Sequence, residues 1–508
     1  MKHLTLSLCL MAALFVAIIQ GVGMVRPDSV PAASVEEPGY QNVQHALRVI
    51  AAEPHPTAAP RQAFVRRYLL SEISTMGYRA IEQPFLFTIA EIVSHQEKIY
   101  SQLNSHQRLA FDAELARVGA HNFEEEVRIR SGLKQGDSAY GTNIIARLDS
   151  PSAKGTLLIM AHYDSVGTAP GAGDDGMAVA SILQLMRDVA GRADLKNNII
   201  FLLTDGEELG LFGAHYFIKM LNETELQSIN LALNFEARGN DGIPLLFETS
   251  EKNFDLISKV SKAPKKVIAF SFTPLIYRMM QNDTDFTVFK NKGLAGLNFA
   301  VVQGFEHYHS MSDSVENIPL ATLFEYQKTV REIGRYFAED VDIVTLGQQT
   351  RAVYFPVPGW GLVIMPLFLA FTLGGGVFIL CLLWIKNGAD HRPILMFIPF
   401  LRSTAIFLLG LFSMTLAIKL PEISYLLTLP LLFFLLSHII LVKYHNYFIS
   451  LAIAVLGVYI SGILYVPVVF LIASGLQALW LSVIIALIPI VIWMGKSIDL
   501  WREANKKV

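Results

Sequence analysis

Cysteine is almost absent from this chain of 508 residues, and Cys9 and Cys381 both lie in apolar runs. A disulfide framework, a cysteine nucleophile and a thiolate metal site are therefore excluded for the central region. Basic tracts are also missing, and the formal net charge is −3, so the composition excludes nucleic acid as an expected partner. Charged residues make up only 17% of the chain against 52% hydrophobic residues, a balance that indicates membrane spans.

Long apolar runs at both ends of the chain predict six membrane-spanning helices, with the lipid bilayer as a partner. Residues 4–24 are long enough for one span. We favour an uncleaved anchor over a signal peptide there, because the run is long and no small-x-small cleavage site is evident. Five further spans are predicted near residues 361–385, 399–417, 424–442, 448–471 and 475–495.

The positions of lysine and arginine predict how these spans are oriented. Basic residues occupy alternate short loops and the C-terminal end, which places the C-terminus in the cytoplasm. The long central region then lies outside the cytoplasm, either in the periplasm or exterior or in an organelle lumen. The predicted organisation is an anchor helix (1–24), an extracytoplasmic domain (25–345), a linker (346–360), a five-helix transmembrane domain (361–496) and a cytoplasmic tail (497–508).

The central region alternates between strand-like and helix-like segments. Near-continuous apolar strands that alternate with helices are typical of an α/β sheet covered on both faces. A charged stretch, residues 92–135, has no place in this alternation, and we favour a solvated excursion over an insertion above a site. The predicted strands are residues 143–148, 155–165, 197–205 and 229–239, and the predicted helices are residues 61–78, 176–191 and 322–340.

Acidic and imidazole side chains follow the predicted strands. FLLTDGEELGLFGA (201–214) places Glu207 and Glu208 side by side directly after an apolar strand. Ligands bind outside the carboxyl ends of strands in open α/β sheets, and carboxylates crowded there repel one another unless a cation neutralises them. Nitrogen and oxygen ligands without sulfur suit zinc. Acidic or imidazole side chains at junctions between elements also occur in four other segments, AHYDS (161–165), GAGDDG (171–176), NFEARG (234–239) and EHYHSMSD (306–313).

Each of these segments also has a structural explanation when it is taken alone. Asp174 and Asp175 could cap the following helix, and the histidines near residue 308 could belong to a polar loop. Arg238 could bind a substrate carboxylate or be a charge at a strand end. The combination of several such junctions favours a metal site, in which two histidines and three carboxylates can hold two ions.

The order of HYDS, GAGDDG, DGEELGLFG, NFEARG and YHSMSD resembles the M28 family of zinc peptidases over roughly residues 40–340. The flanking spans are similar to the membrane-anchored branch of that family, which includes the endoplasmic-reticulum metallopeptidase and the vacuolar membrane protease. PHPT (54–57) and AVYFP (352–356) add to this similarity. The resemblance implies a mixed, mostly parallel sheet flanked by helices, followed by an all-α transmembrane domain.

The resemblance also implies a set of metal ligands. His162 and Glu236 would bind one zinc ion, Glu208 and His309 would bind a second, and Asp174 would bridge the two. It further implies a cis peptide bond after Asp174. Many family members have aspartate at the position of Glu236, whereas the membrane-anchored branch commonly has glutamate.

Three further residues receive catalytic roles from the resemblance. Glu207 would be the general base that takes a proton from the metal-bound water. Asp164 would support the His162 ligand, and Tyr308 would help to stabilise the oxyanion. A segment such as DGEE then serves two purposes, because one glutamate binds metal while its neighbour faces the water.

The function that the sequence predicts is a membrane-bound di-zinc peptidase that acts on peptide substrates, in particular at a free N-terminus. The first alternative is a glutaminyl cyclase-like acyltransferase, whose relatives use a single zinc ion. A second is a non-catalytic receptor or scaffold, although this chain keeps all five ligands and the base. A third is a transporter, which usually leaves an ionisable residue inside a span. In the predicted spans Arg402 is near a span start and can snorkel, and His438, near a span end, is the remaining candidate.

Overall fold

The computed structural model describes residues 2–102, 119–131, 138–274, 283–387 and 452–461, with isolated positions and short stretches between these ranges. The chain divides into two compact units. The larger one, called the α/β unit here, comprises Pro27–Ala269 and Thr273–Gln349. The other, called the terminal unit, comprises Met1–Arg26, Phe270–Phe272 and Thr350–Val508.

A seven-stranded sheet forms the centre of the α/β unit, with the strand order β1-β2-β4-β3-β5-β7-β6. The four central strands, β4, β3, β5 and β7, run parallel, while the pairs β1/β2, β2/β4 and β6/β7 are antiparallel. The predicted mixed sheet flanked by helices is confirmed. The strands are β1 Ala80–Thr88, β2 Ser138–Leu148, β3 Gly155–His162, β4 Asn197–Thr204, β5 Ile229–Ala237, β6 Leu245–Thr249 and β7 Gly296–Val301.

The helices of the described residues include the three that the sequence predicts, which are α4, α7 and α12. Their bounds differ from the prediction by a few residues, as expected for helix ends. The helices are α1 Lys2–Met24, α2 Ala32–Val35, α3 Pro38–Ile50, α4 Pro60–Thr75, α5 Ile89–Gln102, α6 Phe123–Ser131, α7 Met177–Val189, α8 Phe212–Met220, α9 Glu223–Ser228, α10 Phe254–Val260, α11 Asp285–Asn291, α12 Leu320–Glu339 and α13 Leu367–Asn387.

Helices cover both faces of the parallel strands, which explains why these strands are apolar throughout. Successive side chains of a strand point to opposite faces. Leu158 and Met160 of β3 therefore join a cluster with Phe217 of α8 and Phe289 of α11. Ile159 faces the other side, where α7 and α12 pack against each other and a Cβ on Gly334 would lie 3.5 Å from the Ile159 side chain.

The described part of the 92–135 stretch packs against the edge of the sheet, so the expectation of a solvated excursion is wrong there. Ile92 of α5 and Val127 of α6 are buried, and they form one cluster with Phe85 and Phe87 of β1. The same cluster contains Leu209, the residue after the two adjacent glutamates. The charged residues of this stretch did not indicate its packing, because apolar residues on one face of a helix are sufficient to hold that helix against the sheet.

The terminal unit contains α1 and α13, and a strand pair lies across the boundary that the sequence analysis placed at Gly361. Strand β8 (Ala352–Val357) pairs with β9 (Gly361–Pro366) in antiparallel fashion, where a linker and the start of a span were predicted. The predicted spans at 399–417, 424–442, 448–471 and 475–495 lie wholly or largely outside the described residues. Within the described residues, no helix has the length and apolar character needed to cross a membrane.

Candidate metal centre

The predicted ligands come from strands whose carboxyl ends meet at one edge of the sheet. His162 is the last residue of β3 and is in register with Thr204, the last residue of β4. Glu236 lies one residue before the end of β5, which is parallel to β3. Because the strands are parallel and adjacent, the segments that follow them converge. Glu208, which follows β4, therefore reaches the same edge.

Asp174 lies at the centre of the five predicted ligands. Its Oδ1 is 3.1 Å from Nε2 of His162, and its Oδ2 is 3.3 Å from Nε2 of His309. His309 Nε2 is also 3.1 Å from a carboxylate oxygen of Glu208, and His162 Nε2 is 3.8 Å from one of Glu236. The structure thus brings all five side chains into one cluster, with a histidine and a glutamate on each side of the aspartate.

Asp175 is a further acidic residue of this cluster, although the sequence analysis gave it no metal role. Two groups of side chains have potential ligand atoms within 4.8 Å of one another, namely His162 with Asp174 and Glu208, and His162 with Asp175 and Glu236. Asp175 is 1% exposed, and within the described residues its carboxyl oxygens have no hydrogen-bond partner. A helix cap would be exposed and hydrogen-bonded, so the capping interpretation fails.

Asp313 fixes the backbone on which Asp174 is mounted. Its carboxylate oxygens accept hydrogen bonds from the backbone N–H of Gly173 (2.7 Å) and Asp174 (3.2 Å). A Cβ on Gly173 would lie 2.8 Å from Asp313 Oδ1, so the close approach requires glycine. The peptide bond between Asp174 and Asp175 is cis, as the resemblance implies. The sequence analysis did not identify Asp313 as a site residue. The feature that could have indicated it is its position four residues after His309.

Asp164 interacts with the centre differently from the predicted support of His162. The backbone carbonyl oxygen of Asp164 accepts the hydrogen bond from His162 Nδ1 at 2.9 Å, while its carboxylate Oδ1 is 3.7 Å away. That carboxylate instead accepts the backbone N–H of Glu207 (3.2 Å) and of Glu208 (3.4 Å). The carbonyl orients the imidazole so that Nε2 faces Asp174, and the carboxylate holds the turn that carries both glutamates.

The remaining predicted residues surround the cluster. Glu207 is partly buried, and its carboxyl group interacts electrostatically with His162 and Glu236. The ring of Tyr308 stacks on that of His309, with centroids 3.7 Å apart. The Arg238 guanidinium lies 5.8 Å from the centroid of the Tyr308 ring. Arg238 is 6% exposed, which excludes the solvated strand-end charge.

Crowding of buried carboxyl groups changes their protonation. Burial raises the pKa of Glu236 to about 8, and Asp174 adds to the shift. Burial also raises the pKa of Glu207 well above its usual range, with Glu236 and Glu208 adding to it. Asp174 is the exception, since hydrogen bonds from His162 and His309 hold its pKa below the usual range although burial opposes them. The protein without metal therefore carries acids that resist ionisation.

These raised pKa values predict that the metal-free protein loses stability as the pH rises. Burial raises the pKa of Glu236 to about 8, of Asp313 to about 7 and of Asp285 to about 6. A carboxyl group whose pKa is higher in the folded state favours folding below its unfolded pKa of about 4, and that contribution is lost as the pH passes through the folded value. A tenfold difference in acidity between the folded and unfolded states corresponds to about 1.4 kcal/mol.

We therefore expect chelated protein to lose about 2 kcal/mol or more of unfolding free energy between about pH 5 and about pH 8. Denaturant unfolding at both pH values measures this. Bound divalent cations would favour the ionised carboxylates, so the metal-loaded protein should lose less. Equal or greater stability of the chelated protein at the higher pH would contradict the assignment of buried, protonated acids.

Comparison with known sequences relates part of the α/β unit to a family of peptidases. Residues 143–334 match the profile of Peptidase family M28. The chain therefore contains an M28 peptidase domain, which confirms the resemblance found in the sequence. It is related to the vacuolar membrane proteases, which are among the curated relatives that it matches.

The vacuolar membrane protease of Candida tropicalis is 28% identical over 241 residues, which are 46% of this chain and 26% of that protein. That of Schizophyllum commune is 25% identical over 393 residues, 73% of this chain and 38% of the relative. That of Candida albicans is 32% identical over 208 residues, 40% of this chain and 24% of the relative. The chain thus spans between about a quarter and two fifths of these relatives.

Solved structures with a similar architecture include peptidases and a cyclase. An aminopeptidase from Aneurinibacillus sp. strain AM-1 is 16% identical, with a TM-score of 0.45 over 61% of this chain and 97% of that one. A zinc aminopeptidase from Bacillus subtilis is 16% identical, with a TM-score of 0.41 over 59% of this chain and 95% of that one. A glutaminyl cyclase from Porphyromonas gingivalis is 17% identical, with a TM-score of 0.40 over 57% of this chain and 95% of that one.

Proposed function

We propose that the α/β unit is a zinc metallopeptidase that holds two zinc ions and removes residues from the free N-terminus of peptides. The observation that supports this most directly is the position of Asp174, whose two oxygens each approach a different histidine. Each histidine also faces a glutamate of its own, Glu236 or Glu208. A donor set with one histidine and one glutamate on each side of a shared aspartate suits two ions that are bridged by that aspartate.

The donor set fits zinc by its chemistry. It offers imidazole nitrogen and carboxylate oxygen, which are ligands that zinc accepts, and leaves room for water or substrate. Within the described part of the chain, buried Oε1 of Glu208 and both carboxyl oxygens of Asp175 lack a hydrogen-bond partner. Leaving buried polar atoms without partners costs about 1–3 kcal/mol each, and a cation would remove that cost.

In the proposed reaction, Glu207 moves the proton. When bound, zinc lowers the pKa of water towards about 7 and polarises the substrate carbonyl group. Glu207 accepts one proton from the attacking water while the water oxygen forms a bond to the carbonyl carbon. The carbon–nitrogen bond then breaks, and Glu207 returns the proton to the leaving amine. One carboxylate thus acts as base and then as acid.

Tyr308 is proposed to stabilise the negative charge that develops on the carbonyl oxygen. Burial raises the pKa of its phenol well above the ordinary value, although Arg238 opposes the shift. The phenol therefore keeps its hydrogen at neutral pH and can donate it in a hydrogen bond. Its ring is held by the stack on His309, so the donor is positioned before the charge appears.

Cleavage of free and N-acetylated peptides of the same sequence tests the proposal. We expect the zinc-loaded full-length protein to release N-terminal residues from the free peptide and to act at least about 10²-fold more slowly on the acetylated one, because a site built around a polar group rejects a substrate that lacks it. Chelated protein should cleave neither. Equal cleavage of both peptides would contradict N-terminal specificity, and absence of cleavage would contradict the peptidase assignment.

The acyltransferase alternative gives a different result in the same assay. A peptide with N-terminal glutamine would lose ammonia and cyclise, and the protein would contain one zinc ion per chain. Cyclisation without hydrolysis, together with a single zinc ion, would replace the proposed function by that alternative. A scaffold protein would bind peptides without changing them.

We also propose a membrane location, with the M28-like domain at 25–345 outside the cytoplasm. The domains at 1–24 and 361–496 would anchor it, 346–360 would connect them, and 497–508 would be a cytoplasmic tail. The apolar runs of the sequence and the names of the relatives, which are vacuolar membrane proteases, support this location. The strand β9, Gly361–Pro366, occupies the first residues of the proposed C-terminal anchor region.

Alkaline extraction of membranes tests the location, since it releases peripheral proteins but leaves embedded ones behind. We expect the full-length chain to stay in the membrane fraction, because a predicted span buries about 20 apolar residues. Protease treatment of sealed vesicles should show which side carries residues 25–345. Release of the full-length chain by alkali would contradict the anchors.

A further inference from the structure

A chain of buried polar side chains connects the PHPT segment to the metal centre. The hydroxyl oxygen of Thr57 is 3.1 Å from Oδ2 of Asp164 and 2.9 Å from Oδ1 of Asp205. All three residues are at most 1% exposed. Thr57 is held in this place by an unusual backbone, since the next residue, Ala58, has a φ of 68°, a region that L-residues other than glycine rarely adopt.

The number of hydrogens in this arrangement restricts its protonation. A threonine hydroxyl carries one hydrogen, so Thr57 can donate to only one of the two carboxyl groups. The other carboxyl oxygen also lies within hydrogen-bond distance of Thr57. That second contact is a hydrogen bond only if the carboxyl group carries a proton and donates it. Two hydrogen bonds at this hydroxyl therefore require that one of the two aspartates is a carboxylic acid.

Asp205 is the better position for this proton. Both carboxyl oxygens of Asp164 already accept a backbone N–H group, from Glu207 on Oδ1 and from Glu208 on Oδ2. Asp205 receives its N–H donors on Oδ2 alone, from the side chain of Gln62 at 2.6 Å and the backbone of Thr142 at 2.7 Å. Oδ1 of Asp205 thus remains for the proton that points at Thr57.

The electrostatic surroundings agree with this assignment. Burial raises the pKa of Asp205 to about 7, and the neighbouring Asp164 adds to the shift. Arg66 is the facing cation from α4, and it opposes the shift. However, the Arg66 guanidinium is shared with Glu82 at 3.2 Å and with the Thr142 hydroxyl at 3.1 Å, so it does not neutralise Asp205 alone.

We propose that Thr57 and the carboxylic acid form of Asp205 are positioning residues for the proposed peptidase reaction. Asp205 donates to Thr57, Thr57 donates to Asp164, and Asp164 accepts the backbone N–H groups of Glu207 and Glu208. The hydrogen bonds then all run in one direction, and they fix the turn that presents the base and its neighbouring ligand. The inference rests on the proposed function for its kinetic consequences only.

Two asparagine variants of the full-length, zinc-loaded protein distinguish the protonated aspartate from the ionised one. In Asp205→Asn, the amide oxygen can accept from Gln62 and Thr142 while the amide nitrogen donates to Thr57. We expect this variant to keep at least about a third of kcat. In Asp164→Asn, an N–H donor faces a backbone N–H, so we expect kcat to fall about 10²-fold or more, with KM little changed.

Threonine variants test the middle of the chain. Thr57→Val removes the hydroxyl and should lower kcat about tenfold or more, whereas Thr57→Ser keeps it and should restore most of that loss. Thr75, whose exposed hydroxyl donates to a backbone carbonyl, supplies the matched control, and Thr75→Val should leave kcat unchanged. Zinc content should stay at the wild-type value in the Thr57 variants, because a purely structural defect would lower it.

Infrared difference spectroscopy observes the proton without relying on activity. The spectrum of wild-type protein minus Asp205→Asn should contain the carbonyl band of a protonated carboxyl group at neutral pH. If the wild-type protein has no peptidase activity, the proposed function fails, and this band still decides the inference. Absence of the band, or an Asp205→Asn variant as impaired as Asp164→Asn, would overturn the inference.

Discussion

Replacement of Glu207 by glutamine is expected to lower kcat by about 10²–10⁴-fold, the factor that a positioned base typically contributes. Glutamine has the size and shape of glutamate, but its amide cannot take a proton from water. The zinc content should remain that of the wild-type protein, because the closest contacts between the predicted ligands involve Glu208 and not Glu207. Steady-state kinetics and elemental analysis of the same sample measure both quantities.

Glu306 supplies a matched control for this substitution. It is exposed and lies three residues before His309, so Glu306→Gln changes the same functional group near the same loop. Its kcat should stay at the wild-type value. Full activity of Glu207→Gln would show that another group takes the proton, and loss of zinc in that variant would show that Glu207 is a ligand.

Asp174→Ala should have the largest effect on metal binding, with zinc content falling from two ions to less than one per chain. The reason is that its two oxygens serve both halves of the cluster, so one substitution removes a ligand from each proposed ion. Activity should fall below detection as a consequence. Elemental analysis after dialysis against zinc-free buffer measures the loss.

Glu208→Ala provides the comparison for Asp174→Ala, because the histidine that contacts the Glu208 carboxylate most closely is His309, at 3.1 Å, and its removal should cost one ion only. Asp194→Ala controls for the loss of a carboxylate in general, since Asp194 is exposed and pairs with Arg192. If Asp174→Ala retained two zinc ions, the bridging role would be excluded. Loss of two ions from Glu208→Ala would show that the sites do not divide as proposed.

The sequence predicted the centre of the fold and of the site because both follow from local patterns. Apolar runs such as residues 197–204 are typical of strands covered on both faces, and β4 is one of them. The parallel arrangement then forces residues at strand ends together, which is why His162, Glu208 and Glu236 could be grouped before their distances were known.

Other features depend on contacts between distant parts of the chain, which local patterns do not show. Strand β7 was missed because GLNFAV is short and begins with a glycine, although it is buried in the sheet. Asp313 reads as part of a polar loop until the backbone of Gly173 is placed on it. Thr57 and Asp205 are 148 residues apart, and their relation follows only from the fold.

The cluster around Leu209 has a consequence for how substitutions far from the cleft would act on this protein. Leu209 packs with Phe87, Ile92 and Val127, directly beside Glu208 in the chain. The outer edge of the sheet and its two helices thus pack in one cluster with the residue that follows Glu207 and Glu208. Substitutions in that peripheral layer, which contains none of the predicted ligands, are therefore expected to change the rate of the proposed reaction without changing a ligand.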